Sequence, residues 1–242
     1  MQWSGNTIPF YISIITFLLT CFMIPALPGS FNEVRGNGEL FPLNGPMWSL
    51  FFEYIGNILY ALFIRRLSTK LLTLLVILLG ILHSIFTIGN LSGYGNLGVG
   101  WTFDTINFCG GMLRMLFPFT LGMLISRRFK AIKLPYPFFL SSILLITTLS
   151  VPYLTAFKAI NLNGIYESLC IIAIFPLILT IGASSQEKSK LSQTLGELSY
   201  PLYIIHYPIM YLFYQWLIKT KQYTLSQTYP VALFVIIISI IL

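Results

Sequence analysis

The stretch LLTLLVILLGIL, residues 71–82, constrains this chain more than any motif in it. It does not alternate, as a half-buried strand would, and it has no polar face, as a surface helix would. Runs of roughly 17–25 apolar residues are long enough to cross a bilayer as helices. Eight such runs occur, at about 7–27, 46–64, 71–89, 106–126, 136–156, 164–183, 197–218 and 228–242. Strands of a membrane barrel would alternate over about ten residues, and these runs do not. Composition agrees, with 56% hydrophobic and 9% charged residues, where a soluble domain carries roughly 25% charged residues. The expected fold is all-α, a polytopic transmembrane bundle of about eight spans forming one domain over residues 1–242. No linker, low-complexity segment or internal repeat divides it.

The charges report orientation. One set of connecting loops holds Arg65, Arg66, Lys70, Arg127, Arg128, Lys130, Lys133, Lys188 and Lys190; the alternate set holds Arg35, Lys158, Lys219 and Lys221. Short loops rich in lysine and arginine stay in the cytoplasm, so the first set is expected there and loop 31–45 outside. The net charge of +7 is therefore a topology signal and not a nucleic-acid footprint. Cys21, Cys109 and Cys170 lie in apolar runs and are expected to be buried small hydrophobes rather than disulfide partners or metal ligands.

Three polar residues stand where lipid should be. Glu53 and Arg114 each fall roughly 12 Å along a span from the outer side, and His206 roughly 14 Å from the opposite side, at 1.5 Å per residue. These depths agree with a shared site near the midplane of a hydrocarbon core about 30 Å thick. A charge in lipid is costly, so Glu53 and Arg114 are expected to face the interior and pair directly or through water. Ser199, Tyr203 and His206, spaced i, i+4, i+7, share one helix face, and Tyr200 and Tyr207 form a second stripe. His83 reads as a satisfied interhelical hydrogen bonder and Glu167 as an interfacial residue. Histidine, carboxylate and arginine together suit acyl or proton transfer: a base for a hydroxyl proton, an orienting group and a cation for developing charge.

Two segments, LFPLNGPMWSLFFEY (40–54) and LGELSYPLYIIHYP (195–208), resemble the acyltransferase-3 family of membrane O-acyltransferases. The first is similar to the family's Asn-Gly-Pro-x-Trp-Ser-Leu-x-x-Glu segment, the second to its late helix with Ser-Tyr, Tyr and His-x-Pro. Between them, GGMLRMLFPFTLGMLISRR resembles a family span that carries an internal arginine. The resemblance implies a multi-pass protein of the cell (plasma or inner) membrane. It would move an acyl group, acetyl as the first expectation, from acyl-CoA in the cytoplasm to a hydroxyl of a cell-surface or exported carbohydrate. Acyl-CoA is then a co-substrate, and no permanently bound cofactor or metal is expected. Supporting catalytic roles fall on Glu53, His206 and Arg114. Substrate contacts fall on Asn44, Trp48, Ser49, Ser199 and Tyr203, and Arg127 and Arg128 are placed to meet the phosphates of the donor.

The sequence departs from the family pattern in one respect. Members carry, in a first span, a histidine preceded by a basic residue and taken as the catalytic base, and an Arg-x-x-Arg pair before a later span. Neither is present among the 242 residues. The expectation is a piece lacking N-terminal spans, incomplete at its C-terminus too, and inactive alone. The rival reading is a transporter or flippase for a glycan or lipid-linked substrate, which would also hold Glu, Arg and His near the midplane.

Overall fold

The computed structural model describes residues 2–3, 6–155, 157, 160–185, 190–220 and 224–241. Of the charges counted above, Lys158, Lys188 and Lys221 and the side chain of Lys219 lie outside the described residues. Two-residue strands β1 (Gln2–Trp3) and β2 (Asn6–Thr7) pair antiparallel. The rest of the regular structure is helical: α1 (Phe10–Cys21), α2 (Met47–Leu62), α3 (Thr69–Ile88), α4 (Thr105–Arg128), α5 (Pro137–Leu149), α6 (Leu162–Ala183), α7 (Lys190–Thr220) and α8 (Leu225–Ile241). A 3₁₀ turn, Ile64–Arg66, follows α2, and α6 contains a π turn at Cys170–Ile174.

Each helix falls on one of the eight apolar runs, but three of them, α3, α4 and α6, are long and apolar enough to cross a membrane. The chain is thus an all-helical membrane protein, and helix length does not carry the expected count of eight crossings. Local chemistry trims α1 and α5. α1 starts after Pro9 and stops before Met23, whose φ of 57° no helix continues, leaving 12 residues. At 1.5 Å per residue that is about 18 Å, well short of the hydrocarbon core. α5 starts at Pro137 behind a left-handed Tyr136 and ends at Leu149, just before Val151, which Pro152 steers away from helical geometry.

Two compact units divide the chain: Met1–Phe51 with Trp101–Phe103 and Lys188–Leu242, and Phe52–Gly100 with Asp104–Glu187. In the second unit α3 packs on α4 and α6. Leu72, Val76 and Leu79 are buried together with Ile64 and Phe117. The opposite face of α3 presents Leu71, Leu74, Leu78, Ile81 and Ile85, each more than half exposed. A continuous apolar outward face is what lipid, not water, solvates. Hydroxyls on these helices are satisfied locally: Thr73, Ser84, Thr87 and Thr120 each donate to a carbonyl one turn back.

One end of this unit gathers basic loops. Arg127 Nη1 donates to Leu67 O at 2.7 Å, and Ile132 N donates to Ser184 Oγ at 2.9 Å. Loops 65–70 and 127–135 and the start of 184–195 therefore lie on one side, as the charge asymmetry required.

At the other end the 90–105 connector does not stay outside the helices. Leu97 and Val99 are buried against Phe86, and the backbone runs down beside α4. Two adjacent glycines allow this: a Cβ on Gly110 would strike Val99, and one on Gly111 would sit 3.0 Å from Gly100 Cα. Irregular backbone among apolar helices needs polar partners, since water is not there to supply them. Glu167 Oε2 accepts from Leu97 N at 2.8 Å, and Asn107 Oδ1 accepts from Gly100 N at 2.9 Å. Arg114 Nη1 donates to Val99 O at 2.6 Å, and Asn163 Nδ2 donates to Gly95 O at 3.2 Å and to Glu167 Oε1 at 3.0 Å.

Several expectations are corrected here. Glu167 is a clamp on this loop rather than an interfacial residue. His83 is fully buried beside Phe117, and neither ring nitrogen has a hydrogen-bond partner among the described residues. Cys170 is buried, but Cys21 and Cys109 are exposed. The reason is common to all three: in a membrane protein the lipid-facing and inward faces are both apolar, so hydropathy does not say which residues are covered.

In the first unit, Glu33 organises the loop before α2 by accepting from Gly29 N and Gly38 N, both at 2.7 Å. Leu40 and Phe41 are fully buried, with Leu40 N donating to Trp101 O at 2.8 Å and Leu40 O accepting from Ala26 N at 2.7 Å. α7 packs on α8, where Phe213 meets Phe234 edge to face.

Candidate active site

The site in the first unit begins with a missing hydrogen. Pro208 lies inside α7 and has no N–H, so the carbonyl one turn back, on Ile204, loses its helical donor. Asn44, 160 residues earlier in sequence, replaces it: its Nδ2 donates to Ile204 O at 3.0 Å. The proline of the His-x-Pro pattern and the asparagine of the Asn-Gly-Pro pattern are therefore two halves of one hydrogen bond. Asn44 Oδ1 is buried without a partner among the described residues, so that side chain is held by its amide alone.

A second tie joins the same segments. Tyr203 Oη lies 2.5 Å from Ser49 Oγ and donates to Pro46 O at 3.2 Å, while Ser49 Oγ reaches the same carbonyl at 3.0 Å. Three oxygens share two protons, so either hydroxyl can donate to Pro46 while the other donates to its neighbour.

His206 is half-buried and its Nδ1 lies 2.8 Å from Leu202 O. A carbonyl only accepts, so Nδ1 carries the hydrogen and Nε2 is the basic nitrogen of the neutral ring. With Ser199 and Tyr203 it lines a cavity of about 620 Å³ between α7 and α8, otherwise walled by Leu202, Met210 and Phe213 from α7 and Val231 and Val235 from α8. The face predicted from the i, i+4, i+7 spacing is thus realised in space. Trp48 lines a smaller cavity of about 420 Å³ with Tyr203, Tyr207, Tyr211, Trp101 and Glu39.

Glu53 and Arg114, expected to line one cavity with these residues, belong to the second unit and line neither. Glu53 is exposed on α2, and its carboxylate takes no hydrogen bond or ion pair among the described residues. Arg114 reaches the descending loop instead, and no direct Glu53–Arg114 ion pair occurs among the described residues. A guanidinium on a long stem finds a carbonyl before it finds a carboxylate on another helix, and loop 95–100 brings one to it. Arg127 and Arg128 close α4, both exposed, with Arg127 partly committed to Leu67 O.

Sequence reading missed the cluster around Glu39. Arg35 Nη1 pairs with Glu39 Oε2 at 2.8 Å, both side chains about 15% exposed, and the guanidinium lies 4.4 Å from the Tyr211 ring centroid. The available signal was the spacing, Arg and Glu four apart in a chain with seven acidic residues. Burial pushes the Glu39 carboxyl above its ordinary value of 4.5, and Arg35 and Asn37 only partly pull it back. A carboxyl raised on folding stabilises the fold while protonated and loses that contribution as pH rises through its folded pKa. The thermal midpoint of the parent protein, relative to Glu39→Gln, is therefore expected to fall as pH climbs from below 4.5 to neutrality. Midpoints of both proteins in detergent across that range test it, and a gap that grows in the parent's favour would reverse the sign.

The class of protein these features define is a multi-pass membrane protein, its apolar helices carrying Ser199, Tyr203 and His206 on a cavity wall. The chain matches the family described as an acyltransferase domain over residues 3–242, and it belongs to that acyltransferase-3 family. No curated protein and no solved structure matched the chain.

Proposed function

We propose that the chain acts in an integral-membrane acyltransferase of the cell membrane. It moves an acyl group, acetyl first among them, from acyl-CoA to a hydroxyl of a cell-surface or exported carbohydrate. The observation that carries this reading is the double tie between the two family-like segments, Asn44 to Ile204 and Ser49 and Pro46 to Tyr203, which sets His206 in a cavity wall.

In the reaction the acceptor hydroxyl gives its proton to a base, its oxygen bonds the acyl carbon, the thioester C–S bond breaks, and the CoA sulfur leaves and is protonated. Within this chain His206 Nε2 and the Tyr203 and Ser49 hydroxyls hold and orient the acceptor, supporting the base rather than replacing it. The family resemblance gives the base role to a histidine that follows a basic residue, a pattern that neither His83 nor His206 shows. The family resemblance gives Glu53 and Arg114 supporting roles, and Arg127 and Arg128 meet the donor's phosphates from the basic end of the second unit.

Native membranes in which the natural protein is made, given labelled acetyl-CoA and isolated cell-surface glycans, are expected to place label on the glycan in an alkali-labile ester. Label that stays on CoA or appears only as free acetate would refute the carbohydrate acceptor.

A further inference from the structure

We propose that the aromatic pocket of the first unit, lined by Trp48, Trp101, Tyr207, Tyr211 and Glu39, is the acceptor subsite and holds one uncharged sugar ring against Tyr203. This rests on the carbohydrate reading above and adds the place and the residues.

The pocket has about 420 Å³, inside the roughly 300–1,000 Å³ typical of small-molecule sites. Its walls are largely aromatic side chains, a residue type whose faces attract the slightly positive C–H groups of a pyranose. Its polar groups are the Glu39 carboxylate and the phenols of the tyrosines, which can accept from and donate to hydroxyls around a ring edge. An apolar ligand would leave these groups desolvated and unmatched.

The same aromatic and acidic groups could suggest a cage for a quaternary ammonium. Arg35 argues against that. Its guanidinium already stacks on Tyr211 and neutralises Glu39 at 2.8 Å, so the cation's place is taken from within the chain. What remains is a neutral, hydrogen-bonding pocket.

The rings are also held in place. Tyr207 stands edge to face on His206 and on Tyr211, with centroids 5.2 Å apart in each pair. Gly45 leaves them room: a Cβ there would lie 2.8 Å from Tyr211 Oη and 3.4 Å from Tyr207 Cε1. Tyr203 forms a wall of this pocket and also of the larger cavity that holds Ser199 and His206. A ring bound here therefore borders the side chains that orient its hydroxyl. Loop 31–45, which supplies Glu39 and Phe41, is the one that charge places outside, where an exported glycan would arrive.

The test is acyl transfer by the natural protein in its membranes, with isolated cell-surface glycan and acetyl-CoA varied separately. Trp101 is 38% exposed and meets Leu40 through its backbone carbonyl, so its side chain can be removed without breaking that tie. Trp101→Ala is expected to raise the acceptor KM roughly tenfold, the scale of losing one well-placed aromatic face, and to leave the acetyl-CoA KM where it was. Trp101→Phe keeps a ring and should recover most of the loss, and the thermal midpoint of both variants reports folding. Transfer by the parent with an acceptor KM unmoved in Trp101→Ala overturns the subsite and leaves the acyltransferase reading intact. Absence of transfer to any glycan by the parent removes the carbohydrate reading and the subsite with it. Inhibition by tetramethylammonium, competitive against glycan, would overturn the uncharged ligand in favour of a cation.

Discussion

Joining these 242 residues to a span bearing a histidine after a basic residue is expected to raise acyl transfer by roughly 10²–10⁴-fold, the usual worth of a positioned general base. The two histidines already present are poor substitutes. His83 is fully buried in the second unit against Phe117. His206 has a free Nε2 in a cavity wall, but its orientation is fixed by a bond to its own helix at Leu202 and not by a carboxylate that would stabilise an imidazolium. In the joined protein Glu53→Gln should lower turnover more than protein level, because it removes a charge and keeps the shape. The measurement is initial rate of labelled acetyl transfer for the chain alone, the joined protein and its Glu53→Gln variant, each per amount of folded protein. If the chain alone matched the joined protein, His206 would be the base, and His206→Gln would then abolish the reaction.

Arg114→Met is expected to destabilise the second unit by roughly 1–3 kcal/mol, the cost of stranding a buried hydrogen-bonding group. The donor lost is the one on Val99 O at 2.6 Å, in a loop whose backbone runs among helices and draws its partners from side chains. Hydrogen exchange at residues 95–100 should quicken together with the fall in thermal midpoint, since the clamp and the loop are one structure. Gly122→Ala on the same helix, where a Cβ meets nothing within 4 Å, should neither lower the midpoint nor quicken that exchange. The alternative role, charge balance during the chemistry, gives the opposite pattern: turnover lost with midpoint and exchange unmoved. The two roles of Arg114 are thus separated by one variant.

The order of helices was legible because hydropathy is a local property of the chain, and each of the eight helices falls on a run readable at one residue after another. So was the shared face of Ser199, Tyr203 and His206, since helical spacing alone puts them there. The family was legible as well, from two short segments in order. Tertiary structure decided the rest. Helix ends moved where a proline or a left-handed residue outweighed an apolar run, as at Met23 and Tyr136. The partner of Asn44 is a carbonyl exposed by a proline 164 positions on, the difference between 208 and 44, and nothing local marks it. Arg114 went to Val99 rather than to Glu53 because two glycines let a loop come down beside it, which is a matter of space and not of charge. Which apolar residues meet lipid and which meet protein was also beyond the sequence, because both surroundings are apolar and the chain pays no different cost of transfer for either.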